Sequence, residues 1–300
     1  MKKNLFNNLK LLMLSLAGLM TLASCNKDDE SDMAPAAKSI NAIVNSDTNF
    51  SILKAAIAKA ELGSALETGS LTVFAPDNAA FAATGIDLSV INAASKGFID
   101  SVLKYHVVGA KVLSSGVPAS DTVKSLLGTN IYASKNSNGV FVNGIKVKAA
   151  DVSASNGVIH VISKVMIPPT KNIAQLVSAD TDLSSLLGLV AGYGLAPAVS
   201  GSGKLTVFAP TNAAFAAITL PDTAAVIAIL TSHIIGTNVF ASDLINGDSA
   251  KTLNNNFLLI GLNPPSVKIK TSSEPVSNIT ADDIIATNGV IHKIDKVLLP

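Results

Sequence analysis

The sequence predicts an α+β protein built from two tandem copies of one domain. Three observations predict it. The phrase "LTVFAPDNAAF" starts at Leu71, and "LTVFAPTNAAF" starts at Leu205; they differ only at Asp77 and Thr211. Each half closes on a second shared phrase, "NGVIHVISKVMIPP" from Asn156 and "NGVIHKIDKVLLP" from Asn288. Within each half, apolar residues at helical spacing come first and strand-like runs follow.

The elements follow in order. Phe50, Leu53, Ile57 and Ala60 share one helical face behind the polar stop at Asn45–Asn49, and Leu183, Leu186, Leu187 and Val190 repeat that pattern. "LTVFAP" reads as a short strand stopped by proline. Asp77-Asn78 and Thr211-Asn212 supply the capping oxygen for a following helix. A second helix is expected over about Ile91–Tyr105, and again over Ala224–His233. The rest of each half reads as strands, beginning at "HVVGAKVL". Val140–Val147 is a hairpin, because Asn143-Gly144 between apolar strands favours a tight turn. An antiparallel sheet is expected. Intermediate landmarks pair as well, "VLKYHVVGAKV" with "ILTSHIIGTNV". The repeat is far longer than a solenoid unit. It divides the chain into domains at 38–168 and 169–300, joined at Pro168-Pro169.

Together these motifs resemble the fasciclin (FAS1) domain, in both halves and over about residues 38–300. The resemblance implies a wedge-shaped β-sandwich flanked by helices. It also implies receptor-binding elements of two kinds. One is a Tyr-His pair with apolar neighbours, matched by Tyr105-His106; the second copy has Ser232 before His233. The other is an Asp-Ile pair before the last strand, matched by Asp151-Val152 and Asp283-Ile284. Both acids stand nine residues before a histidine, His160 or His292. An exposed carboxylate beside an aliphatic anchor suits a basic or metal-bearing partner. The alternative is that the acids cap turns and the aliphatics are core.

The N-terminus adds an address. Lysines precede an apolar run from Leu11 to Leu22, and "LASC" ends at the single cysteine, Cys25. The run is short for a membrane span and reads as a signal peptide over residues 1–24. "LASC" resembles a bacterial lipobox, which implies lipid attachment at Cys25 and membrane association through acyl chains. Residues 25–37 then form a flexible tether. Its "NKDDE" is similar to the surface-export signal of Bacteroidetes-type lipoproteins, so the expected location is the outer membrane, facing outward, with the periplasmic leaflet as the alternative.

Composition narrows the function. There is no Arg, and once Lys2, Lys3 and Lys10 leave with the signal the chain is near neutral. That disfavours nucleic acid, which demands a basic surface. Cys25 is the only thiol, so no disulfide is expected in the domains. No nucleophile elbow or zinc-protease motif occurs, and "GSGKL" at Gly201 lacks the residues of a phosphate loop. His160 and His292 lie inside apolar strands and read as core histidines bonded to backbone. The expectation is a non-catalytic, cell-surface adhesion or extracellular-matrix interaction protein that uses no cofactor or metal and meets surface or matrix proteins or glycans. The alternative is an envelope lipoprotein that binds a glycan or small ligand. With no Trp and only Tyr105, Tyr132 and Tyr193, the chain has few platforms for sugars.

Overall fold

The computed structural model describes residues 37–201, 203–219, 222–244, 249–259 and 277–299. The proposed signal peptide, Cys25 and nearly all of the tether lie outside the described residues. In the first copy the order is α1 (Ile40–Ser46), α2 (Ser51–Ala60), β1 (Leu71–Pro76), α3 (Asn78–Ala83), α4 (Leu88–Ala93), α5 (Lys96–Tyr105), β2 (Val107–Val108), β3 (Ser120–Lys124), β4 (Asn130–Asn136), β5 (Gly139–Val142), β6 (Ile145–Ala154) and β7 (Gly157–Ile162). The second copy runs α6 (Ile173–Ala179), α7 (Ser184–Gly192), α8 (Ala196–Ser200), β8 (Leu205–Pro210), α9 (Asn212–Ala216), α10 (Thr223–Ser232), β9 (Ile234–Ile235), β10 (Ser249–Lys251), β11 (Phe257–Leu259), β12 (Ile279–Ala286) and β13 (Gly289–Ile294).

Local chemistry starts the helices where the sequence predicts. Asp77 accepts from the backbone N–H of Ala80, and Thr211 accepts from Ala214. The long helix expected over Ile91–Tyr105 is two helices. Ser95 interrupts it and caps α5 through the N–H of Phe98. The strand expected from "HVVGAKVL" is also shorter, only Val107–Val108. Thr72 ends it: its hydroxyl donates to the Ala110 carbonyl and accepts from the Val112 N–H, drawing the chain off the sheet edge. Thr206 does the same between Thr237 and Val239.

The sheet in the first copy has the order β2-β1-β7-β6-β5-β4-β3. It is not wholly antiparallel: β1 and β7 run parallel, with Phe74 opposite His160, while every other pair is antiparallel. β8 and β13 form the same parallel pair, with Phe208 opposite His292. A central strand with both faces covered explains the unbroken apolar run of "LTVFAP". All six residues of β1 are buried. Val73 and Ala75 face a core shared with α1, α2 and α5, whereas Phe74 faces a second core with Val108, Ile131, Val142 and Ile162. Val207 and Phe208 divide between two cores in the same way.

Two small residues lock this pair. Asn156, just before β7, accepts from the Ile40 N–H at 2.9 Å and donates to the Leu66 carbonyl, so it ties α1 to the sheet. Asn288 repeats this toward Ile173 and Val199. Beside them, a Cβ on Gly157 would overlap the Leu71 carbonyl, and one on Gly289 would overlap that of Leu205. The blocking atoms are sheet backbone and cannot swing aside. Gly157→Ala is therefore expected to cost about 3 kcal/mol or more, read as a lower urea midpoint. Gly97→Ala, where a Cβ meets nothing within 4 Å, is the matched control and should leave the midpoint within about 1 kcal/mol of the parent.

Candidate functional site

The acidic residues nine before the histidines belong to a device built twice. In β6 and β12 the register slips at a bulge, between Ala149 and Val152 and between Ala281 and Ile284. The bulge puts Asp151 and Asp283 in the left-handed region, at φ 60° and 51°. Their backbone N–H groups then donate to Nδ1 of His160 (3.2 Å) and His292 (3.3 Å). With Nδ1 accepting, the proton sits on Nε2, which donates to the Val112 and Val239 carbonyls at 2.9 Å. Each imidazole stacks on the phenylalanine opposite it, Phe74 or Phe208. Both carboxylates finally cap a 3₁₀ turn: Asp151 accepts from the Ser114 N–H and Asp283 from the Ala241 N–H, at 2.9 and 2.8 Å. The core reading of these histidines holds, and the acids do cap turns.

Tyr105, His106 and His233 are core residues and offer no surface to a partner. Tyr105 is fully buried, donating to the Asn130 carbonyl and accepting from Asn143. Burial pushes its hydroxyl up to about 12. His106 and His233 end α5 and α10; Nδ1 donates to the Val102 or Ile229 carbonyl, and Nε2 accepts from the Met166 or Leu298 N–H. The resemblance implies a contact role for these residues, and their burial rules it out. The end of α5 lies beneath the irregular segment that follows β7, whose Met166 N–H bonds to His106, and this makes the Tyr-His pair core.

The two acids part company in their surroundings. Asp151 is exposed, with Leu113 (43% exposed) and Val152 (36%) beside it in the chain or across the cap. The Ser114 hydroxyl and N–H hold its carboxyl below the usual carboxylate range. Asp283 instead sits under the first copy. A Cβ on Gly144 would lie 2.5 Å from its Oδ2 and 3.1 Å from Phe240, so glycine is what lets the Asn143-Gly144 turn pass so close. Around it Tyr132 packs on Phe240 with ring centroids 5.8 Å apart, over Val290 and Ile285. Ser134 donates to Asp243, Asn136 to the Ser242 carbonyl, and Lys204 to Thr122. Burial, with Asp282 and Asp243 nearby, pushes the Asp283 carboxyl up to about 7, against the pull of the Ala241 N–H and Lys164. Ile284 faces its own domain's core, half-buried, and is no free anchor. By sequence Asp283-Ile284 is the closer match to an Asp-Ile pair, yet it is the one the neighbouring copy covers, and nothing in the local sequence says so.

Beside Asp283 a cleft of about 710 Å³ opens between the copies. Its walls come from the turn at Gly144, the segment from Ser163 to Lys171 that joins the copies, and the strand edge at Asp282–Ile285.

The geometry defines a tandem pair of one α+β module, each with a parallel central strand pair and an Asp–His bulge lock, packed into a single unit. The fasciclin-domain family model matches residues 48–168 and 181–300, and the chain belongs to the fasciclin family. It is similar to transforming growth factor-beta-induced protein ig-h3 of Sus scrofa, 32% identical over 243 residues, covering 77% of this chain and 35% of that protein. Human periostin is 28% identical over 251 residues, covering 77% of this chain and 28% of its own length. The chain thus spans about a third of the length of these curated relatives. A solved FAS1 domain pair from the insect cell adhesion molecule Fasciclin I aligns with 83% of this chain and 96% of its own, at a TM-score of 0.41 and 18% identity. No described helix is long and apolar enough to cross a membrane.

Two pH dependences of opposite sign follow. Burial pushes His106 and His233 down to about 4 from 6.5. The stability they lend is present above pH 6.5 and is lost as pH falls toward 4, by about 3 kcal/mol each. Urea midpoints should fall over that range, less steeply in His106→Gln. Asp283 has a raised carboxyl, so its contribution is present at acid pH and is lost as pH rises through 7. Asp283→Asn should match the parent only near pH 3.5, and its advantage should grow between pH 4 and 7 to about 4 kcal/mol.

Proposed function

We propose that this chain is a non-catalytic adhesion or matrix-interaction protein of the cell surface, held to the outer membrane by lipid on Cys25. The observation that carries the reading is family membership in both halves of the chain, together with its similarity to ig-h3 and periostin. The "LASC" phrase, the single cysteine and the acidic leader support the anchor and its outward orientation. The exposed corner of the first domain supports the mode of contact. Asp151 offers a fixed carboxylate with Leu113 and Val152 as apolar neighbours, the mixture a protein or matrix surface can grip. Its partners in this reading are surface or matrix proteins rather than nucleic acid.

Deleting the gene and measuring attachment to coated surfaces and biofilm formation tests the reading. Attachment should fall and return with the parent gene. Complementation with Asp151→Asn keeps the cap acceptor but removes the charge, and should restore attachment only in part, by roughly threefold less. Unchanged attachment after deletion on every surface tried overturns the adhesion reading. Protease shaving of intact cells checks the orientation: the domains should be cleaved without permeabilisation.

A further inference from the structure

The interdomain cleft is within the size of ligand sites, and domain junctions are where such sites concentrate. Three lysines line it: Lys146 from β6, Lys164 from the segment after β7, and Lys171 from the approach to α6. All three are exposed, and among the described residues none is in an ion pair. Between them the wall is apolar. Ile167, 42% exposed, stands with Leu176 and Ile285. The joining segment is irregular, and the N–H groups of Ile167 and Thr170 have no acceptor among the described residues. Pro168 and Pro169 between them have no N–H to offer and stiffen the segment in an open form.

Unused backbone donors along an open segment, aliphatic walls and cationic rims match an extended peptide with alternating acidic and aliphatic residues. A saccharide fits less well, because the cleft has no aromatic residue in its lining. We propose that this cleft takes an extended acidic segment of a partner protein, with carboxylates on Lys164 and Lys171 and an aliphatic side chain against Ile167 and Leu176. This deepens the adhesion reading and rests on it.

The site carries its own signature. Asp282 and Asp283 also line the cleft. Asp283 is faced by Asp282 on its own strand, Asp243 in the 3₁₀ turn, Lys164 from the joining segment and the ring of His292, while the Gly144 turn brings no charge. Its carboxyl loses its proton near pH 7, so the cleft gains a negative charge as pH rises. Affinity for an acidic peptide should fall over that range.

The test titrates the full chain with a synthetic hexapeptide of alternating Asp and Leu, an Asn-Leu counterpart, and a galacturonate tetramer, by calorimetry. The Asp-Leu peptide should bind at least tenfold tighter than the other two. The double variant Lys164→Gln/Lys171→Gln should weaken it about tenfold with Tm unchanged, since both side chains are exposed. Kd should rise about threefold or more from pH 6 to 8.5 in the parent and stay level in Asp283→Asn. No binding of the Asp-Leu peptide, equal binding by the double variant, tighter binding of the galacturonate, or a pH dependence that persists in Asp283→Asn overturns the proposal. If the double variant restores attachment fully in the deleted strain, the cleft proposal fails while the adhesion reading stands.

Discussion

The parallel pairing of the first strand of each copy with its last is the constraint on which the rest depends. β1 and β7 are about ninety residues apart in the chain, yet they lie side by side with Phe74 on His160. The helices must therefore pack on one face of a strand that is already closed in by its sheet on both sides. Asn156 can reach α1 only because β7 returns to this place, and Gly157 is required only because the return is so close. The imidazole of His160 is held by the same arrangement, since its two nitrogens bond to a bulge in β6 and to the carbonyl of Val112 near β2. Remove the parallel pair and the caps, the bulge and the histidine lock lose their common frame.

The second copy repeats this frame and then uses one corner of it differently. Asp151 and Asp283 make the same bonds to a histidine and a turn, yet one carboxyl is held low by the half-buried Ser114 and the other is driven up by burial. The cause lies in the neighbouring copy. Tyr132, Ser134 and the Gly144 turn of the first copy close over Phe240, Asp243 and Asp283 of the second. The corresponding corner of the first copy has Leu113 and Ser114 at its cap and, among the described residues, no such cover. Duplication supplied one device; position in the pair decides its electrostatics.

Local rules made much of this legible. The capping oxygens of Asp77 and Thr211 and the Asn143-Gly144 turn follow from residues a few positions apart, and the tandem organisation follows from the repeated phrases. The spacing of nine from acid to histidine was visible too, although its meaning needed a bulge that slips the register. What the sequence could not convey was distance across the chain. The unbroken apolar run of "LTVFAP" says that the strand is covered on both faces but not which strand lies beside it or in which direction, so the expected antiparallel sheet differs from the parallel pair at its centre. A Tyr-His pair at a helix end looks equally fit for surface or core until Met166 and Asn130 are known to lie over it. Ile284 and Val152 likewise differ in burial for reasons no window around them contains.

The contact between the copies joins unlike faces of like modules. The hairpin side of the first meets the bulge side of the second, and the match has no twofold character. Such a joint has a head and a tail. Repeating it would add modules in one direction, each presenting its hairpin side to the bulge side of the next. The free bulge corner at Asp151 marks the leading end of the pair.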